Sequence, residues 1–188
     1  MKQVITLVVV GLLTLGCTQP NPSTSVKAYY DVAGFIAGQI ALLSQQNPTV
    51  EKLARIKGQE QRGNVTDINW SRELELFNQA DINKPALRNS YQIRASADSL
   101  TYQYVLKPGE QRLTVRSLRV QLDAQTRQPR RIEAVLRTDN PLYQSERRLL
   151  LEGGPAGRQW RVRQYRMEGF QQLAFFDRNE FSVQGRVK

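Results

Sequence analysis

The chain has 188 residues, 27 lysines and arginines against 17 aspartates and glutamates, and a formal net charge of +10. It contains one cysteine and no histidine, which excludes an internal disulfide and removes the commonest general base and metal ligand. The length suits one domain, and the charge is uneven: residues 91–188 carry 18 basic and 10 acidic side chains, net +8.

Lys2, the apolar run Val4 to Leu15, and Gly16 before Cys17 have the order of a secretory signal. The run is too short and wrongly flanked for a spanning helix. The stretch Leu13-Thr14-Leu15-Gly16-Cys17 resembles the lipobox of bacterial lipoproteins, with Thr14 where that family usually has leucine. The resemblance implies removal of residues 1–16 as a signal peptide and lipid, palmitate included, on Cys17. Thr18 follows the cysteine in place of aspartate. By resemblance to enterobacterial sorting, that implies a cell-envelope protein anchored in the outer membrane and facing the periplasm. Residues 17–25 then form the lipidated cysteine and a solvated linker carrying Pro20 and Pro22. Residues 26–188 form a single α+β domain. A chain this basic in the cytosol would suggest nucleic acid. An exported one meets anionic lipid headgroups, lipid A phosphates or acidic envelope proteins instead, so no nucleic-acid partner is expected.

A first helix is expected over Val26 to Gln46, capped by Ser23 or Ser25 and ended by Asn47-Pro48. Val26, Tyr29, Ala33, Ile36, Ile40 and Leu43 recur as one apolar stripe. Its polar face lacks the lysines and arginines of a membrane-surface helix, which favours packing on a sheet. Gly34 and Gly38 lie four apart, a spacing that lets another backbone approach. Thr49 to Gly63 reads as one extended edge strand. Asn69 caps a second helix, Trp70 to Ala80, which buries Trp70, Leu74 and Phe77. From Trp70 through Glu73-Leu74, Phe77 and Ala80 to Pro85, the segment resembles one in bacterial envelope lipoproteins of unknown function. The resemblance implies no activity.

From Tyr91 onward the apolar period becomes two, as a half-buried strand requires. Leu100, Tyr102, Tyr104 and Leu106 alternate with polar residues, and Lys107-Pro108-Gly109-Glu110 is a turn signal. Leu113 and Val115 give way to Leu118, Val120 and Leu122 on the opposite parity, so a β-bulge is expected near Arg116-Ser117. Trp160 and Val162 give way to Tyr165 and Met167 in the same manner, which marks a second bulge. Turns are expected at Asp139-Asn140-Pro141 and at Gly153-Gly154-Pro155. About seven strands joined by short turns make an antiparallel meander, with the N-terminal helices packed on its apolar face. The expected architecture is a curved sheet of seven to eight strands, a half-barrel, with a closed calycin-like barrel as the alternative.

Nothing in the sequence assembles a reactive centre. Cys17 is committed to lipid, the lysines form no constellation with a hydroxyl, and the carboxylates are scattered among arginines that pair with them. The expectation is a protein that is not an enzyme, with no cofactor and no metal site. Arginine is the feature that remains. Arg119, Arg131, Arg137, Arg161 and Arg163 alternate against Val120, Ile132, Leu136, Trp160 and Val162, which places them together on an outer, convex sheet face. Arginine pairs bidentately with phosphate and carboxylate, so this face is read as a surface for anionic lipid or an envelope partner. The competing reading is a solvated face laced by Glu133, Glu146, Glu152 and Glu168. A carrier of an apolar or acyl ligand, held between sheet and first helix, is the alternative function.

Overall fold

The computed structural model describes residues 27–188; the expected signal peptide, Cys17, the linker and Val26 lie outside the described residues. Nine strands form one antiparallel sheet: β1 (Val50–Ile56), β2 (Gln59–Val65), β3 (Tyr91–Ala95), β4 (Thr101–Leu106), β5 (Val115–Leu122), β6 (Pro129–Asn140), β7 (Tyr143–Ala156), β8 (Gln159–Leu173) and β9 (Asn179–Val187). Their order is β2-β1-β9-β8-β7-β6-β5-β4-β3. From β3 to β9 each strand pairs with the next, which is the seven-stranded meander expected from Tyr91 onward. The sheet is curved and open, with β2 and β3 as its edges. A closed barrel is therefore excluded.

The single edge strand expected over Thr49 to Gly63 is in fact a hairpin that adds two strands beside β9. Its turn is Lys57-Gly58, with φ of 51° and 79°, the pair of positive values that matches the twist of flanking strands. Every residue of β2 is exposed. β1 turns Val50, Lys52, Ala54 and Ile56 toward the side of Val187, Gly185, Val183 and Phe181.

Helices are few and lie on one side of the sheet. Helix α1 spans Val32–Gln46, α2 Trp70–Glu73 and α3 Glu75–Gln79, with a 3-10 turn at Pro85–Leu87. α1 starts six residues later than its apolar stripe suggests. The cap is Asp31, whose carboxylate accepts from Gly34 N–H at 2.8 Å. The residues before it are engaged elsewhere: Asn83 Oδ1 accepts from Tyr29 N–H at 3.0 Å, and Asn83 Nδ2 donates to the Tyr30 carbonyl at 2.9 Å. Tyr29 still reaches the core, edge-on to Tyr91 and Tyr104. Gly38 faces open space, so no backbone approaches it, and the room at Gly34 is taken by Asp31. Asn47 ends α1 in the left-handed conformation, φ 42°. The second helix begins on Asn69 as expected but breaks at Leu74 into two short pieces. Trp70, Leu74, Phe77 and Ala80 are all buried.

Both expected bulges are present. Val115 pairs with Leu136 and Ser117 with Val135, so Arg116 is the extra residue, and Leu118 and Val120 stay buried beyond it. Leu113 falls before the strand, half-buried in a turn. On β8, Glu152 pairs with Gln164 and Gly153 with Val162, so Arg163 is extra. A third bulge, not expected, makes Arg130 extra between Pro129 and Arg131. The turn expected at Gly153-Gly154-Pro155 is instead part of β7, and the chain reverses at Gly157-Arg158. Glycine is needed at 153 for space: a Cβ there would collide with the Pro129 carbonyl and the Trp160 indole. The indole occupies that space because its Nε1–H donates to Pro129 O at 3.0 Å.

Candidate functional site

Alternation decides which arginines share a face. Strands β4 to β8 send Tyr104, Leu118, Ile132, Leu151 and Tyr165 into the core beneath the helices. The residues between them point to the helix-free side. Cross-strand register then sets which charges meet. Arg131 lies opposite Glu152 and beside Glu133, and it binds both, at 2.9 and 3.0 Å. Arg148 meets Glu146 at 2.8 Å, and Arg137 meets Asp139 at 2.8 Å. The middle of this face is thus laced, as a solvated sheet surface would be.

At one end the balance fails. A hollow of about 910 Å³ touches strands β4 to β9 together. One hollow can meet six consecutive strands only where the sheet curls around it, so here the arginine face is concave and not the convex surface expected. Arg130, Arg131, Arg163, Arg186 and Lys188 line it, against the single side-chain carboxylate of Glu152. Glu152 is already bound to Arg131 and Gln164. Among the described residues, the side chains of Arg130 and Arg186 make no ion pair or hydrogen bond. Arg163 has the Pro155 carbonyl at 3.1 Å and Lys188 the Asn64 side chain at 3.0 Å, both uncharged. Two bulges create this concentration. An extra residue lets two successive side chains share one face, so Arg130 joins Arg131 and Arg163 joins Gln164 at the hollow's wall. A second hollow of about 410 Å³ on the same face sets Arg55, Arg148 and Arg178 against Glu146, Glu168 and Glu180. Excess charge is greatest in the first: a third hollow sets Arg119, Arg131, Arg148 and Arg166 against Glu133 and Glu168.

No family model, curated protein or solved structure matches this chain. Its chemistry is therefore read from the side chains alone. Of the five arginines expected to act together, Arg131 and Arg163 line the large hollow. Arg119 lines a neighbouring one of about 390 Å³, with Arg148 and Arg166. Arg137 stands at the far end of β6, paired to Asp139. Arg161 does not point freely into solvent. Its Nη1 donates to Gln46, the last residue of α1, and its Nη2 to the Lys188 carbonyl, both at 3.1 Å. Burial, with the charge of Arg163, lowers its pKa from the usual arginine value. It ties helix, sheet and chain end together. Arg161→Ala should cost about 1 kcal/mol of stability, the usual worth of such bonds. Arg163→Ala, exposed, should stay within ~0.5 kcal/mol. Urea titration compares them, and equal midpoints would overturn the tether.

Arg130, Arg186 and Lys188 are the members that sequence reasoning missed. For Arg130 a signal exists: consecutive Arg130-Arg131 on a strand with Pro129 and Ile132 both buried requires a bulge. Among the described residues, no group of three or more carboxylates or thiols is placed to hold a metal ion. What the hollow offers is positive charge and forked N–H donors on a concave wall. That is equipment for holding an anion.

Proposed function

We propose that this is a lipoprotein of the bacterial cell envelope, lipid-anchored through Cys17 in the outer membrane, that binds an anionic partner without catalysis. In this reading residues 26–188 are an α+β half-barrel. For both of its faces to be hollowed, the twisted sheet would be saddle-shaped. The observation that carries the proposal is the 910 Å³ hollow with five cations and one spoken-for side-chain carboxylate. Phosphate is the anion that several arginine forks in one concavity suit best. The acyl-carrier alternative has less behind it. Between helices and sheet, Trp70, Phe77, Ile36, Leu43, Leu136 and Tyr165 are all less than 2% exposed and occupy the space a chain would need.

The test separates the hollow from net charge. A mature chain bearing Cys17→Ser is sedimented with phosphatidylglycerol vesicles, used here as a phosphate-bearing probe. Arg130→Glu with Arg186→Glu should weaken binding by at least about tenfold, since each basic side chain near an anionic surface is worth ~1 kcal/mol. Arg94→Glu with Arg112→Glu makes the same charge change at exposed positions off the hollow and should weaken it far less. Equal loss in the two pairs would show a solvated basic surface with no site.

A further inference from the structure

Four of the seven large apolar side chains exposed among the described residues sit together. Leu142 belongs to the turn between β6 and β7, and Leu173, Phe175 and Phe176 to the end of β8 and the loop into β9. These turns are neighbours: Tyr143 pairs with Leu173, and Ala174 N–H donates to the Leu142 carbonyl at 2.9 Å. The four side chains therefore make one tip. Leu142 is 71% exposed and Phe175 wholly so. Phe175 also holds φ at 69°, a left-handed conformation that bulky residues avoid.

We infer that this tip, Leu142, Leu173, Phe175 and Phe176, inserts into the interface of the bilayer that carries the Cys17 lipid. The inference rests on the lipid-anchor reading above. Three observations fit a bilayer. Four such side chains offer on the order of 500 Å² of apolar surface, at ~150–250 Å² for an aromatic one. A surface that small suffices where a tether already holds the protein at the membrane. Next, several of the tip's backbone groups are bonded from within, and the Phe175 N–H is left for water or a headgroup of the interface. Asn140 Oδ1 accepts from Leu142 N–H and Tyr143 N–H at 3.1 and 2.9 Å, Leu173 O accepts from Phe176 N–H at 3.1 Å, and Phe176 O accepts from the Gln172 amide at 3.3 Å. A loop that leaves water for an apolar medium needs that closure. Finally, the leash fits. α1 ends beside Gln159 and Arg161, on the end of β8 remote from the tip. The chain enters α1 over β4, where the Tyr104 hydroxyl accepts from Tyr30 N–H at 3.1 Å, level in the register with Met167 and so between the two ends of β8. From Thr18 to Ala28 it can reach about 34 Å at ~3.1 Å per residue.

Insertion also fixes what the basic hollow sees. Glu152 lies nine residues beyond Tyr143 along β7, about 30 Å at ~3.3 Å per residue. The hollow would then face away from the anchoring bilayer, toward whatever crosses the periplasm.

The test uses the lipidated full chain in vesicles of phosphatidylethanolamine and phosphatidylglycerol. Cys17 is the only native cysteine, so once lipidated it leaves no thiol. Phe175→Cys then gives one site for an environment-sensitive dye, and Arg158→Cys, in the turn at the other end, gives the control. Shallow nitroxide lipids should quench the dye at 175 severalfold more than at 158. Equal quenching at both sites would overturn the inference. Dye uptake by the unsubstituted chain would mean that Cys17 is free and the anchor reading is what fails. The tip is then decided by the Cys17→Ser, Phe175→Cys chain held on the same vesicles by an N-terminal oligohistidine tag and a nickel-chelating lipid, where quenching sustains it and its absence overturns it.

Discussion

Glu73→Ala should lower the melting temperature by about 6–12 °C. Glu73 sits at the end of α2, yet its carboxylate points at the sheet: Lys52 Nζ donates to it at 2.7 Å and the Tyr165 hydroxyl at 2.6 Å. Lys52 comes from β1 and Tyr165 from β8, so one carboxylate joins a helix to both sides of β9. The carboxylate is 15% exposed and the lysine 26%. Truncation leaves a poorly solvated ammonium and a buried hydroxyl without partners, which costs about 3 kcal/mol. For a domain of this size each kcal/mol is worth ~2–4 °C. Removing all three polar groups together, as Lys52→Met, Glu73→Leu and Tyr165→Phe, should recover most of the loss, because a buried pair seldom outperforms apolar packing. A Glu73→Ala protein that melts within a degree of the parent would show the network to be slack.

The same contact shapes the alkaline limb of stability. Burial first, and then the hydrogen bond and charge of Glu73, push the Tyr165 hydroxyl well above its ordinary pKa of 10.0. Burial pushes Tyr91 up likewise, and raises Tyr30 to about 12. A group whose folded pKa is raised contributes stability in full below its unfolded pKa and loses it as pH climbs toward the folded value. Stability should therefore fall as pH rises from about 10 toward 12. Glu73→Ala should leave most of that fall in place, since burial, the larger cause of the Tyr165 shift, remains. Urea midpoints at pH 9 and pH 11, values chosen to straddle about 10, would show it.

How far these features were legible depends on how local their cause is. The meander from Tyr91 onward could be read because each strand carries its own period-two pattern and punctuation. The bulges at Arg116 and Arg163 could be read because a parity slip between Val115 and Leu118, or Val162 and Tyr165, has one cheap geometric remedy. β2 could not. Gln59 to Val65 has no apolar alternation, and it is a strand because β1 and the Lys57-Gly58 turn provide a partner. The start of α1 failed for a similar reason: Tyr29 continues the helical stripe, but Asn83, fifty-four positions away, claims its N–H. At the candidate site, alternation placed Arg119, Arg131 and Arg137 on strand positions facing away from the core. Whether each meets a carboxylate depends on register, and whether the face is hollow depends on sheet curl and on the third bulge at Arg130. Those are properties of several strands at once, and no single stretch of sequence carries them.

The largest effect should come from a residue outside the described fold. On the lipoprotein reading proposed above, Cys17→Ser should convert an anchored protein into an unprocessed precursor or a soluble one. The reason is arithmetic on methylenes. Each one buried in a bilayer adds ~0.8 kcal/mol, yet a single fourteen-carbon chain still gives only marginal, reversible binding, with K of about 10⁴ M⁻¹. Stable attachment needs two signals, which the lipidated sulfur and amino group of Cys17 would jointly supply. The apolar tip cannot substitute for them, because Leu142, Leu173, Phe175 and Phe176 expose less hydrocarbon than two acyl chains. It can only orient what the anchor already holds. Phe175→Ser with Phe176→Ser should therefore leave the protein in the membrane fraction through a high-salt wash, whereas Cys17→Ser should empty that fraction and abolish labelling by radioactive palmitate. Label retained by the Cys17→Ser protein would remove the anchor. Release of the double phenylalanine variant from the membrane would mean that the tip, and not the lipid, is the main hold.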